Sequence, residues 1–427
     1  MTRSAAKELI WLVLATLAAA SMAHFTFAIW SSSQPVDFSD LYAPWWGSHE
    51  LLLHSRNPYS PEIAHEIQAV IYGARLHPTP EDPSGIGGGF AYPPWAALLL
   101  WPSLYLPFPV AQQLCFGLSV AATLLSLGLW MRALRLRVST FEALTFALFV
   151  LGSFPTLQGL ELHNLSLLAA ALIAAALFLI YSDHLILAGI FLAASTFKPQ
   201  FVVALIPWLA LWTLAAWRQR RPLAWSFLIS MTLLIGTSEW LLPGWLLSFL
   251  HVIRAYRHYT YGHTLFDVWL TPRWGIVASA VALAAAWAFC WSSRSEPADS
   301  PRFLLTASLL LAVTVVVIPT LAPHAQLLLL PGVLCLWRER AAPGSPGLLA
   351  RCLLFAVWAL LAWPWVAALG LLLARLWLPA AALHQFWPIP VYTSPVLPLA
   401  VLAALSGLAR HTLGRVQPLA EHSSRTP

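Results

Sequence analysis

Apolar runs of about 20 residues, parted by short clusters of arginine, constrain this chain more than any other feature, because that is the length a helix needs to cross a bilayer's hydrocarbon core of about 30 Å. Residues 8–30 supply one such run directly after Arg3 and Lys7. Only 9% of the 427 residues are charged and 59% are hydrophobic, against about 25% charged in an ordinary soluble domain. A soluble globule of this size could not cover its surface with so few charges. The 23 tryptophans point the same way, since Trp gathers at membrane interfaces. The expected fold is therefore all-α: a polytopic transmembrane helical bundle, one integral membrane domain over 1–427. The first run is long enough to be read as a retained signal anchor and not a cleaved leader.

Apolar segments fall near 8–30, 95–107, 110–131, 140–155, 162–182, 184–197, 199–217, 223–242, 274–292, 302–319, 323–338, 350–376 and 394–410. Between them lie Arg132, Arg135 and Arg137; Arg218, Arg220 and Arg221; Arg294 and Arg302; Arg338, Arg340 and Arg351; and Arg410 and Arg415. Basic loops stay on the cytoplasmic side, so parity allows a single crossing between the first span and Arg132. Segment 95–107, about 13 residues or roughly 20 Å of helix, is too short to be that crossing. It reads as a re-entrant or interfacial helix, and 110–131 as the span. The rest then alternates to give about 12 spans with both termini cytoplasmic.

Residues 31–94 form a first outer loop holding seven of the 17 acidic residues. Within it Ile63, Ile67 and Ile71 recur at helical spacing, so 61–76 reads as an amphipathic helix on the membrane surface. The Gly- and Pro-rich run from Pro78 to Gly89 reads as a loop free to move. A second outer loop, 243–273, is rich in Tyr, His and Arg.

The net charge of +6 is spread as arginine clusters between apolar segments, a topology signal and not a nucleic-acid stripe. There is no P-loop, which argues against an ATP-driven pump. No HExxH and no metal-ligand spacing occurs, so neither metal nor cofactor is expected. Cys115, Cys290, Cys335 and Cys352 lie in or beside apolar stretches and read as small buried hydrophobes.

Polar groups at membrane depth are costly and mark either a site or a structural hydrogen bond. Parity puts nearly all of them on one outer face. Asp37 and Asp40 follow the first span, where a carboxylate could act as general base on a hydroxyl or merely cap a helix. Glu161, His163 and Asn164 open the segment 162–182. Lys198, one of two lysines in the chain, has either snorkelled to the interface or been kept to bind an anion. His324 could donate to a phosphate or be a satisfied interfacial histidine. Arg254 and Arg257, set among Tyr256, Tyr259 and Tyr261, suit a phosphate clamp or a headgroup-binding belt equally.

Order and spacing over most of the chain resemble glycosyltransferase family 87, membrane enzymes of GT-C type that include polyprenol-phosphate-mannose-dependent mannosyltransferases. Asp37-Phe38 with Tyr42, one place beyond the D-F-x-x-Y spacing, then Asn57-Pro58-Tyr59, is similar to the family's D-F-x-x-Y … G-x-x-P-Y loop. Tyr92-Pro93-Pro94, followed by Leu106-Pro107-Phe108, and Ala188-Gly189 through Lys198-Pro199 resemble two further family stretches. The turn from Pro319 to His324 resembles a later one. The chain departs where His54-Ser55 replaces the glycine before Asn57, and where Glu161-Leu162-His163-Asn164 replaces a Gly-Gln before the asparagine.

The resemblance implies Asp37 as catalytic base, with Asp40 able to stand in. It implies Lys198, His324, Arg254 and Arg257 at the donor phosphate, and Tyr42, Tyr59, Tyr92, Glu161, His163 and Asn164 toward sugar and acceptor. The implied partners are membrane lipid, a polyprenyl-phosphate sugar donor and a glycolipid or glycan acceptor. The implied place is a bacterial plasma membrane with the site facing outside. A secondary transporter or lipid flippase is the rival reading, but it calls for inverted repeats or mid-membrane charges, which the sequence lacks.

Overall fold

The apolar runs become helices, and no strand occurs among the residues described by the computed structural model: 3–33, 38–79, 82–83, 85–260, 262–319, 322–339 and 348–414. Helix α1 (Arg3–His24) continues through a π-helical turn, Phe25–Trp30, into one apolar rod. The segment that follows α1 holds α2 (Tyr42–His54) and α3 (Pro61–Tyr72). The short segment after it yields five residues of α-helix, α4 (Ala96–Leu100), and a 3-10 turn, Trp101–Ser103, before the 26-residue α5 (Phe108–Ala133). Helices α6 (Thr140–Leu151) and α7 (Phe154–Glu161) meet at 58°. Pro155 opens α7, and Gly152 lies so near α1 that a Cβ there would come within 2.5 Å of Ala19.

Then come α8 (Ser166–Tyr181), α9 (Leu185–Ser195), α10 (Pro199–Val202) and α11 (Leu205–Ala215). Helices α12 (Trp217–Leu241) and α13 (Trp245–Tyr259) turn by 92° about Gly244, whose φ of 73° suits glycine. The chain ends with α14 (Leu265–Trp269), α15 (Pro272–Ser292), α16 (Pro301–Val317), α17 (Leu330–Glu339), α18 (Leu348–Ala374), α19 (Ala380–His384) and α20 (Leu397–Gly414).

Among the described residues four stretches are long and apolar enough to cross a membrane: Ala6–Trp30, Phe108–Ala133, Pro272–Ser292 and Leu348–Ala374, or up to six if each bent pair is one span. The expected count of about 12 is not reached on this measure. The other apolar helices run 10–17 residues, at most about 25 Å of helix, short of the roughly 30 Å core. Several of them are apolar because they face protein. In α16 nearly every residue from Phe303 to Thr314 is buried, packed against α10, α15, α17 and α20. Helices α12, α15 and α18 instead expose large side chains, Trp240 at 80% and Phe355 at 75%. Apolar faces that open are those of a membrane protein.

Three further expectations change. The apolar face of α3 lies not on a membrane surface but inside the protein, with Ile63 and Ile67 fully buried in the same core as Ile86 and Phe90. Arg220 is not a free cytoplasmic charge: its guanidinium donates to the carbonyls of Trp212, Arg294 and Glu296 at 2.6–3.0 Å and lies over the Trp212 ring. Cys352 is exposed, whereas the other three cysteines are buried as expected.

Gly189 is where α9 lies against α12; a Cβ there would stand 2.7 Å from the Phe227 nitrogen and 2.8 Å from the Leu223 carbonyl oxygen. Both are backbone atoms and cannot swing aside. Gly189→Val is therefore expected to lower stability by about 1–3 kcal/mol through overpacking. Thermal unfolding in detergent measures this, and an unchanged midpoint would mean that the two helices separate freely.

Candidate functional site

Asp40, Asn164 and Lys198 come together from three distant parts of the chain. Asp40 sits in the turn before α2, held by its backbone N–H on the Leu162 carbonyl at 2.9 Å. Its Oδ2 accepts from Asn164 Nδ2 at 2.5 Å, and Asn164 Oδ1 accepts from Lys198 Nζ at 2.8 Å. Lys198 also donates to Ser166 Oγ at 2.7 Å. One amide thus joins a carboxylate to an ammonium, and the identity of its neighbours fixes which end is oxygen.

Local sequence explains how each arrives. His163 takes a left-handed φ of 52°, turning the chain between α7 and α8 so that the Asn164 N–H reaches the Gly159 carbonyl at 2.8 Å. Asn164 Oδ1 then also accepts from the Ser166 N–H. Lys198 precedes Pro199, whose ring excludes right-handed helix from the residue before it. The break between α9 and α10 leaves the lysine 5% exposed, its ammonium 5.7 Å from the centre of the Tyr92 ring and 5.6 Å from that of Phe201.

Burial raises the Asp40 carboxyl above its usual range, with the Asn164 hydrogen bond and the Lys198 charge pulling the other way. Burial also brings the Lys198 ammonium down to about 8, against the upward pull of Asp40. A cation enclosed in this way is costly unless partnered. Here its partners occupy two of the three N–H donors of an ammonium, and no described residue takes the third. No described residue hydrogen-bonds Asp40 Oδ1 either.

Around this core stand buried polar atoms without partners among the described residues: Glu161 Oε2, His163 Nδ1 and His324 Nδ1. His324 lies within electrostatic reach of Lys198, and Glu161 of Asp40. The His324 backbone N–H donates to Gln158 Oε1 at 3.1 Å. Buried polar atoms left open are unusual in a finished core. They fit a site that takes a polar ligand.

Other expected residues are placed differently. Asp37 lies outside the described residues, as do Tyr261 and Arg340. Arg254 and Arg257 are exposed on α13, while Tyr256 and Tyr259 of the same helix turn inward, close enough to Asp40 for their charges to interact. The Tyr59 hydroxyl is already engaged, donating to the Tyr92 carbonyl at 2.7 Å. Tyr42 stacks on Trp46 and meets Phe108 edge-on.

Sequence reasoning missed Ser166 and Tyr72. The Tyr72 hydroxyl is hydrogen-bonded to that of Tyr259, which ties α3 to α13. The described part of the Pro78–Gly89 loop is pinned as well: Gln68 donates to the Gly85 and Gly87 carbonyls, both at 2.7 Å, and the Tyr259 ring packs on Gly88. A serine two residues beyond Asn164 and a tyrosine ending an amphipathic helix carry no distinctive signal.

Residues 90–319 match the sequence model of glycosyltransferase family 87, a stretch that includes Tyr92, Asn164 and Lys198 but neither Asp40 nor His324. No curated protein and no solved structure matches the chain.

Proposed function

Because the chain belongs to glycosyltransferase family 87, we propose that it transfers a hexose, with mannose the first choice, from a polyprenyl-phosphate donor to an acceptor hydroxyl. The reaction is inverting and runs on the non-cytoplasmic face of a bacterial plasma membrane. The observation that carries this reading is the joined pair of Asp40 and Lys198, whose Oδ1 and third ammonium N–H no described residue engages.

In the reaction the acceptor oxygen attacks the anomeric carbon as its proton passes to Asp40 Oδ1. The bond from that carbon to the phosphate oxygen breaks on the opposite face, and polyprenyl phosphate leaves with the electron pair. Lys198 offers its third N–H to the phosphate, with His324 beside it. Asn164 keeps carboxylate and ammonium at a fixed separation. The neighbouring tyrosines Tyr72, Tyr92, Tyr256 and Tyr259 supply faces and hydroxyls suited to a sugar. The polyprenyl tail lies along the exposed apolar helices.

Purified protein incubated with a radiolabelled polyprenyl-phosphate hexose and membrane glycolipid should produce labelled glycolipid. Movement of donor across proteoliposomes without any transfer would favour the transporter reading instead. A pH profile adds a second check. Asp40 accepts a proton only when ionised, so kcat/KM should rise as pH climbs past its raised pKa. Lys198 holds phosphate only when protonated, so the rate should fall as pH passes about 8. A rate that stays level through that point removes Lys198 from phosphate binding.

A further inference from the structure

At the other end of α2, two histidines converge on a single carboxylate oxygen. His49 Nδ1 lies 3.0 Å and His54 Nδ1 3.1 Å from Glu50 Oε1, and all three atoms are within 4.8 Å of one another. Bonds of about 2.0–2.1 Å from nitrogen and oxygen to a tetrahedral ion put neighbouring ligands about 3.3 Å apart. The two short separations are close to that edge.

The surroundings complete the case. Glu50 is 4% exposed at its side chain and its second oxygen, Oε2, accepts from Arg56 at 2.7 Å. Arg56 is in turn held by Glu66 Oε1 of α3 at 2.6 Å. That outer pairing orients the carboxylate and leaves Oε1 as its free ligand atom, as outer partners do at metal sites. Two carboxylates around one guanidinium also leave a net negative charge for a cation. The His49 ring is stacked against Trp45 and Trp46, which fixes its plane. His54 is 54% exposed, so the site is open to solvent. Ser55 holds a left-handed φ of 53° at the end of α2, and it is this turn that folds Arg56 back beneath Glu50.

We propose that His49 Nδ1, His54 Nδ1 and Glu50 Oε1 bind one divalent ion of the zinc class, with water as the fourth ligand. Two imidazoles and a carboxylate suit zinc better than calcium or magnesium, which take mostly oxygen. On binding, each imidazole shifts its remaining proton to Nε2 and the ion replaces the N–H bonds now made to Oε1. The ion would lock the end of α2 and, through Arg56 and Glu66, its junction with α3. No redox step is involved.

The test uses full-length protein in detergent, with an affinity tag free of histidine, stripped by chelator, reloaded with Zn2+ and desalted. Relative to His49→Ala/His54→Ala, it should retain about one more zinc per chain. Added Zn2+ should also raise its unfolding temperature and leave that of the double variant unmoved. If the double variant fails to fold, His54→Asn at the exposed ligand should, in folded protein, weaken zinc binding by at least about tenfold. Equal zinc content in parent and variant, or equal thermal shifts, overturns the proposal. So does His54→Asn binding zinc as tightly as the parent.

Discussion

Asp40→Asn is expected to reduce sugar transfer about 10²–10⁴-fold, the usual contribution of a general base, while the protein still folds. Asparagine keeps the shape of the side chain and can still accept the hydrogen bond that Asn164 Nδ2 donates at 2.5 Å. What it loses is the ability to take a proton. Initial rates of labelled-hexose transfer, compared at equal amounts of folded protein, measure the effect. Asp37→Asn assayed in parallel distinguishes the two acids that precede α2. A fully active Asp40→Asn beside an inactive Asp37→Asn would move the role to Asp37.

Lys198→Met should be nearly as damaging, for a different reason. Removing one preorganised donor to a developing anion typically lowers kcat about 10²–10³-fold, and the polyprenyl phosphate would leave without its cation. The same change strips Asn164 Oδ1 and Ser166 Oγ of the donor they share. Asn164 Oδ1 keeps the Ser166 N–H, but the buried Ser166 hydroxyl loses its donor, and a buried acceptor left open costs about 1–3 kcal/mol, which thermal unfolding would register separately from the rate. In Asp40→Asn/Lys198→Met the two losses should add to less than their sum, since Asn164 couples the groups. Strict additivity would show that carboxylate and ammonium act independently, and full activity of Lys198→Met would end its part in the mechanism.

Residues flanking these two groups show how far the site could be read in advance. Lys198 drew notice as a lone cation between Phe197 and Pro199, and Asn164 as an amide at the mouth of an apolar run. Nothing in their spacing says that they touch, because the contact depends on where α8 and α10 are carried by the rest of the bundle. The Asp40–Asn164 bond joins residues 124 positions apart. The arginines of 243–273 looked better suited to phosphate than the tyrosines, yet α13 turns Tyr256 and Tyr259 inward and Arg254 and Arg257 outward. Ser55 offers a converse case. It stands where the family pattern carries glycine, and its left-handed φ shows the backbone demand that glycine meets at no cost.

Composition and the spacing of apolar runs by themselves determined that this is a helical membrane protein, and the order of its motifs determined the family. Both properties are sums of local preferences: each residue's aversion to water and each turn's backbone bias act where the residue stands. Apolarity, however, records only that a side chain avoids water, not whether lipid or protein covers it. Only the tertiary structure decided that α16 and the inner face of α3 are buried in protein. It alone chose Asp40 as the carboxylate that meets Lys198 through Asn164, because pairing across the bundle depends on how the chain closes on itself.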